Sequence, residues 1–267
     1  MQNAYASWLC MWARSGPGMR RNCCAFNYGV TEQIKVDIWS DIQCPWCYIG
    51  KRKFEAGVAA SGADVAVVYH SFELAPDTPL DFVGSPADYL VRRKGLAPAV
   101  ARQLNDRVSG LAAEVGLEYH LDKAQQVNTV RAHELLHFAR SQGRQLELVE
   151  RLFRAYFTEG RNVGRIDELA GLAAEVGLDA DKAEQALIQN TFLPAVKADV
   201  RQAARYGING VPFFVFDQAF AVSGAQPAEV FSQALDQAWA ASHPVLQTVG
   251  DASGDDVGAC GPDGCRV

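Results

Sequence analysis

Ile34-Lys35-Val36-Asp37-Ile38-Trp39-Ser40-Asp41-Ile42-Gln43-Cys44-Pro45-Trp46-Cys47 is the stretch on which the fold turns. Ile34, Val36 and Ile38 alternate with polar or surface positions, the period-two pattern of a half-buried strand that ends at Ser40-Asp41. Pro45 then stands where a helix begins, at a position where its missing N–H costs nothing. From Pro45 to Ala60 the buried face is Ile49, Phe54 and Val58, with Gly57 as a weak point and Ser61-Gly62 as the stop. Val65 to Phe72 reads as a second strand. Strand, helix and strand within about 40 residues predict a right-handed βαβ unit with parallel strands.

From Ser85 to about Tyr206 the pattern is helical. Ser85-Pro86 and Ala97-Pro98 have the form of helix starts. Leu146, Val149, Leu152, Phe153, Tyr156 and Phe157 recur at helical spacing and predict an amphipathic helix packed on a core. The octapeptide Gly-Leu-Ala-Ala-Glu-Val-Gly-Leu occurs at 110–117 and again at 171–178; in each copy the second Gly fits a helix C-terminal cap. Beyond Val211-Pro212, the apolar run Phe213-Phe214-Val215-Phe216 suits a buried strand, Asp217-Gln218 turns, and Phe220-Ala221-Val222-Ser223 returns as a hairpin. Pro227 to Ala241 supplies a last amphipathic helix through Val230, Leu235, Ala238 and Trp239. The expected order is βαβ, a helical block, then ββα.

Cys44 and Cys47 gain their force from placement. A lone C-x-x-C is also half of a zinc site, but the chain has no second C-x-x-C to complete one. At the N-terminus of a helix a Cys44 thiolate faces unpaired backbone N–H groups and the positive end of the helix dipole, which favours the anion. Cys47, one turn further in, is shielded and suits a resolving thiol. The pattern points to thiol–disulfide exchange: Cys44 forms a mixed disulfide with a substrate sulfur and Cys47 releases it, or the cycle runs in reverse. A thioredoxin-like fold adds a checkable expectation, a cis-Pro before the third strand and opposite the cysteines, for which Val211-Pro212 is the candidate. A cis bond there leaves the Val211 backbone free to pair with an extended substrate.

Asp41 to Gly50, Ser71-Phe72-Glu73-Leu74, Asn128-Thr129 with Ala132-His133, Phe153-Arg154-Ala155-Tyr156-Phe157, and Gly210 to Phe214 with Val222-Ser223-Gly224-Ala225-Gln226 together resemble the FrnE-type branch of the DsbA-like thiol oxidoreductases. The resemblance covers about residues 34–241. It implies an α/β class, a thioredoxin fold interrupted by a helical insertion domain: 34–76 and 207–242 form the thioredoxin-like part, 80–206 the insertion. It further implies Cys44 and Cys47 as the redox pair, with Pro45, Trp46, Val211 and Pro212 as substrate-binding positions. Expected partners are protein or small-molecule thiols and disulfides, in the cytoplasm, with no tightly bound cofactor, glutathione as a candidate redox partner, and a homodimer admissible. Related isomerases of 2-hydroxychromene-2-carboxylate and kappa-type glutathione transferases share that fold but typically have Ser where this chain has Cys44, so two retained cysteines favour dithiol chemistry. A glutathione-dependent isomerase or transferase, and a metal-responsive thiol protein, are the alternatives.

The composition agrees with a folded chain. At 267 residues, with 49% hydrophobic and 21% charged residues, it can bury a sizeable core and is neither wholly disordered nor collagen-like. A net charge of -6 argues against general affinity for nucleic acid or anionic membrane, and no run reaches the roughly eighteen apolar residues of a membrane span. Residues 1–31 hold no Asp or Glu and carry Cys10, Cys23 and Cys24; they lack a convincing cleavage site and are expected to be a disordered or misassigned extension. The odd count of 7 cysteines favours a reducing compartment. At the other end, a flexible tail over 248–267 places Cys260 and Cys265 around Gly-Pro-Asp-Gly, a turn that could bring two thiols together as a secondary dithiol.

One motif competes. His133-Glu134-Leu135-Leu136-His137 matches H-E-x-x-H, which in a metalloprotease puts two zinc ligands on one helix face. A third ligand is required, and Glu159 is the only tempting one, with no supporting motif around it. No metal site is expected; His133 is read instead as a residue near the active-site groove.

Overall fold

The computed structural model describes residues 33–80, 82 and 84–244. The expected N-terminal extension over 1–31 and the tail with Cys260 and Cys265 lie outside these residues. Four strands and a succession of helices follow the expected order: β1 (Ile34–Ser40), α1 (Pro45–Ser61), β2 (Val65–Ser71), α2 (Pro86–Lys94), α3 (Pro98–Ala113), α4 (Val130–Ser141), α5 (Gln145–Phe157), α6 (Ile166–Glu175), α7 (Ala180–Ile188), α8 (Leu193–Arg205), β3 (Phe213–Phe216), β4 (Phe220–Ser223) and α9 (Ala228–Ser242).

The sheet order is β2-β1-β3-β4. β1 runs parallel to β2, from Ile34 opposite Val65 to Ser40 opposite Ser71, and antiparallel to β3, with Trp39 opposite Phe213. Because β1 is internal, its two faces feed two cores. Ile34, Val36 and Ile38 join Phe54, Phe214, Phe216 and Phe231 in the main core, whereas Trp39 and Val215 pack with Ala203 and Ile208 on the other side. Burying each such large side chain contributes about 1.5–3 kcal/mol. α1 and α9 meet at Gly57, where a Cβ would come within 2.7 Å of Phe231 Cβ and of the Ala228 carbonyl oxygen. The weak point of the helix is thus a place where it packs tightly on α9.

The helix starts follow their side chains. Ser85 accepts from the Asp88 amide while Asp88 accepts from Ser85 N–H, a reciprocal capping box ahead of Pro86. The duplicated octapeptide ends its two helices identically: Gly116 and Gly177 adopt φ of 75° and 81°, and Leu117 and Leu178 donate to Ala112 and Ala173 at 3.0 Å. Two packing expectations need correction. Leu146 is exposed and lines an open groove with Val65, Val67 and Tyr69, while Leu148 takes the buried position on α5. Trp239 is likewise exposed, stacked on His243, because the buried stripe of α9 runs through Phe231, Ala234, Leu235 and Ala238.

The helical block is fastened to the sheet along β2. Gln145 accepts from Tyr69 N–H at 3.1 Å and donates to the Tyr69 carbonyl at 2.9 Å, as a neighbouring strand would, and Asp199 accepts from Ser71 N–H at 2.9 Å. A second joint connects α1 to α5: Glu150 accepts from the Tyr48 hydroxyl at 2.6 Å and from Lys51 at 2.6 Å, and it also pairs with Arg52. Tyr48, Phe153, Phe157 and Tyr119 stack beside that joint.

Candidate dithiol site

β1 delivers the chain to a tight turn in which Cys44 N–H donates to the Asp41 carbonyl at 3.0 Å. Cys44 is extended, at φ -83° and ψ 111°, and is the residue from which α1 departs at Pro45. Cys47 falls in the first turn of α1, its amide donating to the Cys44 carbonyl at 3.0 Å. Both are free thiols, only 3% and 2% exposed. The Cys44 thiol points across to the chain ahead of β3 and donates to the Val211 carbonyl at 3.5 Å. The Val211-Pro212 bond is cis. Gly50, one turn beyond Cys47, lets α1 approach that segment, since a Cβ there would lie 2.9 Å from Pro212 Cγ. The fold therefore gathers Cys44, Cys47, Val211 and Pro212, with Pro45 half-buried and Trp46 turned outward at 43% exposure.

Burial pushes the Cys47 thiol well up, and the adjacent Cys44 sulfur adds to this; the Ser40 hydroxyl and the Asp41 backbone pull the other way. Asp41 itself is wholly buried. Its carboxylate accepts from Leu74 N–H at 2.7 Å and from Gln43 N–H at 3.3 Å, and His133 Nε2 stands 3.6 Å from Oδ1. Burial alone would raise the Asp41 carboxyl, but His133, the Leu74 amide and Thr129 outweigh it and hold it below its ordinary value. His133 is thus not on a groove. It is sealed behind the turn, and among the described residues neither of its ring nitrogens has a hydrogen-bond partner.

The helical block reaches the turn from the other side. Tyr119 donates to the Pro45 carbonyl at 2.8 Å, and Gln126 donates to Gln43 Oε1 at 2.7 Å. Beside Gln43 and Pro45 opens a cavity of about 300 Å³, walled by α2, α3 and the end of α5. Sequence reasoning assigned no role to Tyr119, Gln126 or Ser40. Tyr119 and Gln126 lie between helices with no periodicity to flag them, and Ser40 is one polar residue at a strand end.

The histidines of the H-E-x-x-H motif go to different places. His133 faces Asp41, whereas His137 Nε2 lies 3.0 Å from Asp199 and 3.2 Å from Ser71 Oγ. Glu134 is raised by burial and opposed by the amides of Leu193 and Phe192 at the start of α8, and Glu159 is held by Arg151 and Arg154. Among the described residues no group of three or more His, Cys, Asp or Glu side chains is arranged to hold a metal, and no helix is long and apolar enough to cross a membrane.

Comparison with known proteins points to the same fold. The model of the DSBA-like thioredoxin domain matches residues 35–236. The uncharacterized protein YwbO of Bacillus subtilis (strain 168) is 30% identical over 206 residues, 76% of this chain and 96% of YwbO. Among solved structures, a probable DsbA oxidoreductase, SCO1869 of Streptomyces coelicolor, is 41% identical with a TM-score of 0.73, covering 88% of this chain and 99% of that one. The cytosolic disulfide reductase DsbM of Pseudomonas aeruginosa, solved with GSH, shares the fold at 19% identity and a TM-score of 0.53, over 78% of this chain and 97% of that one. A thioredoxin fold interrupted by helices, a C-x-x-C turn at the head of its first helix and a family match across most of the chain lead to one assignment: this protein belongs to the DSBA-like thioredoxin domain family.

Proposed function

We propose that the protein is a thiol:disulfide oxidoreductase that works through Cys44 and Cys47 in the cytoplasm, with glutathione as a redox partner. The observation that carries this reading is the placement of the Cys44 sulfur at the head of α1 and 3.5 Å from the Val211 carbonyl. There the sulfur faces the backbone at Val211 and Pro212, which offers an edge for a substrate chain. Pro45 and Trp46, between the two cysteines, are read as further substrate-binding positions. Residues 34–76 and 207–242 carry the dithiol, and 80–206 shape access to it.

In the reducing direction the Cys44 thiolate attacks one sulfur of a substrate disulfide; a Cys44–substrate S–S bond forms and the other substrate sulfur leaves as a thiolate. Cys47 then gives up its proton to that thiolate or to water and attacks the Cys44 sulfur. The Cys44–Cys47 disulfide forms, the second substrate thiolate leaves, and two electrons have passed from protein to substrate. The oxidising direction is the same path reversed. The Ser40 hydroxyl and the Asp41 backbone favour the charged form of the Cys47 sulfur, which offsets part of its burial cost.

The test is paired. Cys44→Ala should abolish exchange with disulfides, whereas Cys47→Ala should trap a mixed disulfide at Cys44, read by mass spectrometry of the intact protein. Catalysis of a glutathione-dependent isomerisation that survives loss of Cys47 would overturn the dithiol reading in favour of an isomerase or transferase on this fold.

A further inference from the structure

Asp41 is tied to the helical block through two side-chain amides in series. Gln43 Nε2 lies 3.3 Å from Asp41 Oδ2, and Gln126 Nε2 lies 2.7 Å from Gln43 Oε1. The direction of this chain is fixed by its end. An ionised carboxylate only accepts, so Gln43 presents its NH₂ group to Asp41 and its oxygen to Gln126, which must donate. The charge at that end is kept in the interior, because Asp41 is wholly buried and its carboxyl is held below its ordinary value. The other end is anchored. Gln126 is buried and its backbone N–H donates to the Gly84 carbonyl at 2.9 Å, while Asn128, two residues on, donates to the Thr78 carbonyl at 2.8 Å. The chain thus starts from a fixed point in the helical block and ends on the residue whose carbonyl takes Cys44 N–H at 3.0 Å.

Hydrogen bonds in series polarise one another. Donation from Gln126 makes the Gln43 amide a stronger donor, and a stronger donor draws charge off the Asp41 carboxylate. Cutting the chain at either amide returns that charge to the carboxylate, and a buried negative charge disfavours thiolates nearby. We propose that Gln43 and Gln126 are positioning residues of the exchange, setting the balance between the Cys44–Cys47 dithiol and its disulfide through the charge on Asp41. The proposal rests on the oxidoreductase reading and adds a control on the same site: a movement of the helical block at Gln126 is felt at the dithiol as a change in redox balance. The reaction it biases is balanced. The two thiols give two electrons and two protons to oxidised glutathione, and a protein disulfide and two glutathione molecules result.

The experiment equilibrates the full-length protein in glutathione buffers at pH 7, followed by acid quench, alkylation and mass spectrometry of the peptide holding Cys44 and Cys47. Gln126→Leu should shift the equilibrium about threefold toward the disulfide, about 14 mV. Gln43→Met, which breaks the chain at its middle, should shift it in the same direction by at least as much, and the double variant no further than Gln43→Met alone. In an Asp41→Asn background, where the chain ends on a neutral amide, Gln126→Leu should leave the equilibrium unchanged. A merely structural role would lower the urea midpoint without that dependence on Asp41. No shift in Gln126→Leu, a shift toward the dithiol, or a shift that survives Asp41→Asn overturns the proposal and leaves the oxidoreductase reading standing. Failure of the unaltered pair to form a disulfide at any glutathione ratio overturns both.

Discussion

Two buried histidine–carboxylate centres adjoin the ends of β1 and β2, built from the same residue types and joined to opposite fates. At the first, Asp199 of α8 accepts from Ser71 N–H and meets both His70 Nδ1 and His137 Nε2 at 3.0 Å, while His70 Nε2 reaches Asp37 at 2.7 Å. The His70 ring also stacks on Trp39 at 4.5 Å between centroids. At the second, Asp41 accepts from Leu74 N–H and from both the backbone and side-chain amides of Gln43, and its one cationic partner, His133, stops at 3.6 Å, beyond hydrogen-bond length. The saturated centre joins α8, α4 and β2 and is a structural clamp. The other sits under the dithiol turn, where the carboxylate is held by amides while neither ring nitrogen of His133 is hydrogen-bonded, so a buried charge lies within reach of neighbouring chemistry.

The contrast orders the predictions. Asp199→Ala should be the most damaging, about 3–5 kcal/mol, because it strands two histidines and an amide in the interior; urea unfolding midpoints at constant slope measure this, and the dithiol potential of the folded fraction should not move. Asp41→Asn keeps the shape, so its stability cost should be smaller, about 1–3 kcal/mol. It should instead raise the Cys44–Cys47 reduction potential by about 30 mV, since a nearby buried negative charge disfavours thiolates. If Asp199→Asn shifts the potential as much as Asp41→Asn, the distinction between clamp and site collapses.

The third prediction concerns pH. Burial would lower His70, but Asp199 and Asp37 outweigh it and raise it above its ordinary value near 6.5. The stability this contributes is complete below about pH 6.5 and lost as pH rises through the raised value. Asp199, which burial would raise, is held far below the usual carboxylate range chiefly by His137 and His70, so its share persists above about pH 3.8 and is lost as acid protonates it in the folded state. Thermal melts from pH 6 to 9 should show the alkaline loss in the native protein and a flatter profile in His70→Gln. The smallest effect is expected from Ser71→Ala, about 0.5–1.5 kcal/mol, since His137 keeps its Asp199 contact when the 3.2 Å hydroxyl contact is removed.

Much of this architecture is legible in the chain because its signals are local. The alternation of β1, the Pro at the head of α1, the capping Ser before Pro86 and the paired Gly caps each act within a few residues. The dithiol is legible for the same reason, its two sulfurs being one helical turn apart. Asp41, His133, Tyr119 and Asp199 are different: each owes its role to a partner 70 or more positions away or to burial that only assembly creates. The H-E-x-x-H match shows the hazard. Two histidines four apart do share a helix, but α4 is buried on several sides, so one meets the dithiol turn and the other the α8 clamp.

Gln145 and Asp199, the side chains that meet Tyr69 and Ser71, occupy the outer edge of β2, where an open strand would present unpaired N–H and C=O groups to any passing chain. The helices between β2 and β3 therefore guard solubility as well as access to the dithiol. A shortened version of the protein that deletes them would expose a parallel edge, and its first failure would be self-association into aggregates rather than loss of redox chemistry.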